Sequence, residues 1–153
     1  ARLVAVYATM RALEPRLQSG PEPSTKETRM AAHPNTINWF EIPVADFGRA
    51  KAFYEAVLAT TIQTVEMGPQ TLGFLSSNPG GVGGAIVHGD GTPSQAGTIV
   101  YLNGGDDLAP MLARAVQSGG AVAVPKTEIG NGFGFFAHFI DSEGNKVGLH
   151  SMG

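Results

Sequence analysis

Trp39 and Glu41 stand two residues apart in the β-prone run from Ile37 to Ile42. Strand alternation sets the indole and the carboxylate on one face, with Phe40 and Ile42 on the other. A carboxylate in an apolar cleft has its pKa raised and can exchange a proton with a bound molecule, which makes Glu41 a candidate general base. The indole offers a flat platform for an apolar or cyclic ligand. The plainer alternatives are that Trp39 fills a cavity and that Glu41 pairs with Arg49 or Lys146 at a wet rim. His150 lies one residue beyond Leu149, on the same strand face as Gly148. His88 and His138 fall near the ends of strand-like segments. Three histidines and a glutamate would make a metal site if they converged, but chain spacing does not bring them together. Independent hydrogen bonding is the competing reading, and His33 is assigned no role.

Other chemistry is poorly represented. The 153 residues contain no cysteine, which excludes disulfides and thiol catalysis and fits a reducing, cytoplasmic compartment. Gly80-Gly81-Val82-Gly83-Gly84 lacks the spacing and the lysine of a phosphate loop, and no Gly-x-Ser-x-Gly nucleophile motif is present. Asp141 to Asn145 is too short for a calcium loop and reads as a hairpin turn. A formal charge of -3 argues against a nucleic-acid partner, and no apolar run is long enough for a membrane span.

The elements that must position these residues follow from periodicity and punctuation. Pro43 weakens the first strand, Asp46 caps the next segment, and Ala50, Phe53, Tyr54, Val57 and Leu58 recur at helical spacing. Short strands are expected over 61–66, 71–75 and 82–88. The order then recurs. A strand over Thr98–Asn103 precedes a helix over Leu108–Ser118 with Pro110 early, and strands follow near 121–124, 133–140 and 146–150. The expected fold class is α+β: two βαβββ modules, 36–90 and 97–151, whose curved mixed sheets surround a central groove. Residues 33–153 form the folded domain in this reading. Residues 1–32, with a Pro- and Ser-rich stretch before Met30, are expected to be an N-terminal extension or a segment added for expression. The rival is that Leu3–Tyr7 docks on the body or on a partner.

The run Ile37-Asn38-Trp39-Phe40-Glu41-Ile42-Pro43-Val44-Ala45-Asp46, followed by Arg49 to Tyr54, resembles the vicinal oxygen chelate superfamily of glyoxalase I, extradiol dioxygenases and bleomycin-resistance proteins. Phe139-Ile140-Asp141-Ser142-Glu143-Gly144-Asn145-Lys146-Val147-Gly148-Leu149 resembles that family's Asp-Pro-Asp-Gly turn and final strand. The likeness covers about residues 36–151. It implies paired βαβββ modules and, in enzymatic members, a divalent ion held by His and Glu ligands. Those ligand positions map onto Trp39, Thr98 or its neighbours, Gly148, and one position among Gly83, Gly84 and Ala85. None of these is a useful ligand for zinc or iron, so no metal and no cofactor are expected.

Three functional readings follow. The first is a small-molecule-binding protein of glyoxalase and bleomycin-resistance type, without the family's metal chemistry, using Trp39, Glu41, Thr98, Gly148 and His150. The second is a glyoxalase-like lyase or isomerase with Glu41 as base. The third is a non-catalytic, dimeric interaction module. The sequence does not decide whether a reaction is catalysed. The partners expected are an unidentified small molecule and a second copy of the chain.

Overall fold

A computed structural model describes Ile37 and residues 39–75 and 81–153. The expectations for residues 1–32 and for most of the turn at 77–81 lie outside the described residues. The first module runs β1 (Trp39–Val44), α1 (Phe47–Leu58), β2 (Gln63–Met67), β3 (Gln70–Leu75) and β4 (Gly83–His88). The second runs β5 (Tyr101–Asn103), α2 (Ala109–Gln117), β6 (Ala121–Glu128), β7 (Phe135–Ile140) and β8 (Lys146–Ser151). Each makes a four-stranded mixed sheet, ordered β1-β4-β3-β2 and β5-β8-β7-β6. In both, the first strand lies at the sheet's edge and pairs in parallel with the last, and the remaining pairs are antiparallel.

The start of α1 is fixed as its sequence requires. Asp46 is extended, and its carboxylate accepts from the Arg49 N–H at 2.9 Å. From β8's side of the molecule, Glu143 accepts from the N–H groups of Ala45 and Asp46 at 3.1 and 2.8 Å. It also takes a two-pronged contact from the Arg49 guanidinium at 2.7 and 3.0 Å. A carboxylate 94 residues away in sequence thus sits at the positive end of α1.

One continuous core draws on both modules, from Ile42, Phe53, Val57 and Ile86 to Leu102, Leu108, Phe139 and Leu149. The Phe53 ring lies 6.0 Å from Phe139, and α2 reaches α1 through Arg114, whose Nε donates to the Val57 carbonyl at 2.9 Å. The buried Tyr54 hydroxyl donates to Asp141 at 2.7 Å. Burial pushes the Tyr54 phenol well up, and the neighbouring Asp141 charge adds to the effect.

This packing corrects the expectation of curved sheets around a central groove. The strands form two open sheets that neither curl nor close. The apolar inner faces are covered by helices and by the shared core, so no hollow between the sheets is needed to bury them. The strand expected over Thr98–Asn103 is also shorter. The Lys146 N–H bonds to the Ser94 carbonyl and the Gly148 N–H to Val100, which leaves Thr98 exposed on irregular chain between these two anchors. Phe133 precedes its strand rather than joining it. Gly134, at φ +76, turns the chain where a Cβ would come within 2.1 Å of the Ser151 carbonyl.

Candidate functional site

Register assigns the outward face of the second sheet. Tyr101 pairs with Gly148 and Gly148 with His138; one step along, Asn103 pairs with His150 and His150 with Phe136. Alternation turns Leu102, Ala137, Phe139, Val147 and Leu149 into the core, leaving Tyr101, His138, Gly148, Phe136 and His150 outward. Gly148 has no side chain, and the Tyr101 ring occupies the space: a Cβ on Gly148 would meet that ring at 2.5 Å. The Tyr101 hydroxyl lies 2.7 Å from His138 Nε2, and the His138 ring packs edge-on against both Tyr101 and Phe136.

The two histidines on this face are held differently. His150 Nε2 is 2.8 Å from the Phe133 carbonyl, an acceptor, so Nε2 carries the proton and the neutral ring keeps its lone pair on Nδ1. His138 is held below the usual histidine pKa by burial and, secondly, by the charge of Lys146. A hollow of about 890 Å3 opens over this end of the sheet, lined by Tyr101, Asn103, Ile129, Phe136, His150 and Met152 among others.

The residues expected to form one site are dispersed. Trp39 and Glu41 share a face of β1, where the indole N–H points to Glu41 Oε1 at 3.4 Å and the ring sits 5.8 Å from Phe74. Glu41 and Thr98 line a small cavity of about 130 Å3 with Lys146 and Asn145. Gly148 and His150 belong to the second sheet's outward face. His88 lies apart from both, its Nδ1 3.2 Å from the Val44 carbonyl. Arg49, offered as a partner for Glu41, is taken by Glu143.

Sequence reasoning missed Tyr101 as a wall of the hollow over the second sheet and read Asp141–Asn145 as a simple hairpin turn. Asp141 is buried and accepts from Tyr54, the Glu143 and Asn145 N–H groups and the Asn145 amide. Asn145 in turn donates to the Pro43 carbonyl and accepts from the Ser94 N–H, both at 2.9 Å. The available signal was a pair of side chains, Asp and Asn, each with more hydrogen-bonding capacity than a solvated hairpin uses.

The comparisons with known proteins follow this geometry. The model of the Glyoxalase/Bleomycin resistance protein/Dioxygenase superfamily matches residues 36–149. The chain belongs to this superfamily. No curated protein sequence matches it. Among solved structures, a glyoxalase/bleomycin resistance protein from Albidiferax ferrireducens is 20% identical, with a TM-score of 0.52 over 76% of this chain and 98% of that one. A domain of the same description from Frankia sp. is 17% identical, with a TM-score of 0.58 over 76% and 91%. Glyoxalase I from Zea mays gives 0.61 at 14% identity, over 75% of this chain but only 44% of the maize protein.

Superfamily enzymes imply a divalent ion, and the residues at the corresponding positions do not fit one. The Trp39 indole nitrogen is a donor already directed at Glu41, Thr98 is a single hydroxyl on exposed chain, and Gly148 lies under a phenol ring. Gly83, Gly84 and Ala85 have no ligating atoms, and the Phe40 ring covers Gly84. Among the described residues no group of three or more His, Cys, Asp or Glu could hold a metal. Nor, among those residues, is any helix long and apolar enough to cross a membrane.

Proposed function

We propose that the chain is a small-molecule-binding protein of the glyoxalase and bleomycin-resistance type. Its ligand occupies the hollow over the second sheet, without the divalent-ion chemistry of the superfamily's enzymes. The observation that carries this reading is the hollow itself: about 890 Å3, with Tyr101, Phe136, Ile129 and Met152 as apolar wall and the His150 imidazole as polar anchor. That volume falls in the range of roughly 300–1,000 Å3 usual for small-molecule sites. The Phe133 carbonyl fixes the His150 proton on Nε2 and so leaves Nδ1 to accept from a ligand N–H or O–H. Gly148 contributes by absence, since it lets the Tyr101 ring lie flat. In this reading Trp39, Glu41 and Thr98 are a secondary polar contact on the first module.

A homodimer is part of the same reading. Phe133 and Met152 are 64% and 66% exposed, and apolar surface of this kind favours self-association. The alternative, Glu41 as base of a lyase or isomerase, has only the cavity of about 130 Å3 to receive a substrate, well under the usual size.

The test is calorimetric binding of an uncharged aromatic probe, 2-naphthamide, to the full chain before and after dialysis against EDTA. Affinity is expected to survive chelation and to fall about tenfold in His150→Ala, the equivalent of one lost hydrogen bond of about 1.4 kcal/mol. Loss of binding with the chelated metal, or indifference to His150→Ala, overturns the reading.

A further inference from the structure

We infer that the ligand is an uncharged, flat arene with an amide edge, a C=O set beside an N–H as in a fused lactam. This rests on the binding reading above and adds the ligand class. Register places Asn103, His150 and Phe136 side by side on β5, β8 and β7, and all three line the hollow. Neighbouring strands lie about 4.8 Å apart, so this row spans about 10 Å, enough for two fused rings. Its two ends differ. Phe136 offers a ring face at one end, in a wall that also holds Ile129 and Met152, and a flat apolar body is the matching shape. Asn103 and His150 stand at the other end as a polar pair.

Backbone groups fix the polarity of that pair. The Gly105 N–H can only donate, so Asn103 gives it Oδ1 at 2.9 Å and keeps its amide N–H groups as donors. The Phe133 carbonyl can only accept, so His150 gives it the Nε2 proton and keeps Nδ1 as an acceptor. Neither the Asn103 amide nitrogen nor His150 Nδ1 has a partner among the described residues. The other polar side chains of the wall are already engaged. The Ser151 hydroxyl donates to the Gly153 carbonyl and accepts from the Leu108 N–H, and the Tyr101 hydroxyl meets His138 Nε2. Among the described residues no Asp, Glu, Lys or Arg lines the hollow, so a charged ligand finds no counter-charge there. One donor beside one acceptor is what the wall offers. A lone carbonyl uses half of it, and a hydroxyl must serve both sides from a single oxygen. An amide edge uses both from two adjacent atoms: its carbonyl accepts from the Asn103 amide and its N–H donates to His150 Nδ1.

The experiment compares three bicyclic probes of nearly equal size on the full chain, by calorimetry at about pH 8, above the ordinary histidine range. Isocarbostyril is a fused lactam with C=O beside N–H. Isocoumarin replaces that N–H by a ring oxygen, and 1-naphthol carries a single hydroxyl. The lactam is expected to bind about tenfold more tightly than either, and His150→Ala is expected to remove its advantage over isocoumarin. Asn103→Asp keeps an acceptor for the Gly105 N–H but replaces the amide donors by a second acceptor. It is expected to weaken lactam binding at least about tenfold. If isocoumarin or 1-naphthol binds as tightly as the lactam, or if Asn103→Asp binds the lactam unchanged, the amide-edge inference falls and the binding reading stands. If none of the three binds, and 2-naphthamide does not either, the binding reading falls and takes this inference with it. The probe comparison uses the parent chain, so it decides the inference even where Asn103→Asp fails to fold.

Discussion

The two modules use one device on opposite faces. In each, the first strand runs parallel to the last, and an aromatic residue on the first stands opposite a glycine on the last: Phe40 opposite Gly84, and Tyr101 opposite Gly148. In both pairs the ring lies where the glycine's Cβ would be, at 2.4 and 2.5 Å. Phe40 turns inward and packs on the core, so the first module's ring serves stability. Tyr101 turns outward, is 49% exposed and meets His138, so the second module's ring builds a surface. One step of strand alternation separates a core filler from a site wall. The same repeated scaffold therefore yields a cavity of about 130 Å3 beside the first strand and a hollow of about 890 Å3 over the second sheet.

If the modules differ in this way yet share one core, the residue that joins them should matter most. Asp141 is 4% exposed and receives Tyr54 from α1 together with three donors of its own turn. Asp141→Ala leaves four buried or half-buried donors without an acceptor. It is expected to cost about 3–5 kcal/mol of unfolding free energy, measured by urea titration. Tyr54→Phe removes one of the four and should cost far less. A loss below about 1 kcal/mol in Asp141→Ala would mean that the modules are joined by apolar packing alone.

How much of this could be read from the sequence divides along the same line. The element order, the Asp46 cap and the inward turn of Phe40 and Ile42 follow from local rules, because spacing within one segment determines them. The sheet form does not. Whether two modules enclose a groove or pack on a shared core depends on contacts such as Phe53 with Phe139, 86 residues apart, which no local pattern records. The place of Tyr101 over Gly148 is hidden for the same reason. Only the parallel register with β8 puts its ring over Gly148, and sequence alone sets no register across 47 residues. That His150 shares a strand face with Gly148, by contrast, needs only the alternation within one strand.

The next effect is smaller and depends on pH. Glu143 ties the second module to the start of α1. Burial pushes its carboxyl pKa up, but the bonds from Arg49, Asp46 N–H and Ser142 outweigh burial and hold it below the usual glutamate value. A lowered folded-state pKa means stability that is fully present above the unfolded carboxylate range and is lost as pH falls through the folded value. Glu143→Gln should therefore be less stable than the parent at neutral pH. The gap should close as the solution is acidified below the ordinary carboxylate range. Parallel acid limbs of the two stability curves, measured by thermal melts, would show that Glu143 does not supply this linkage.

The smallest expected effect compares the two helix starts. The first turn of α1 relies on side chains: Asp46 takes the Arg49 N–H, and no proline reduces the number of unpaired donors. In α2 the residue at the cap position is Leu108, whose N–H is taken by the Ser151 hydroxyl at 3.1 Å. Pro110 has no N–H to satisfy, and Asp107 accepts only from Ala109 in that turn. Asp46→Ala should then cost about 1 kcal/mol, the usual penalty for a lost N-cap. Asp107→Ala should cost less on the helix's account, although it also releases Lys126. Lys126 rests 4.4 Å from the Phe135 ring centroid, and that contact does not require the carboxylate. Urea titrations of the two variants decide the matter. A larger loss in Asp107→Ala would reverse the ranking and show that the second helix, for all its proline and its serine-held entry, is the one that depends on its acid.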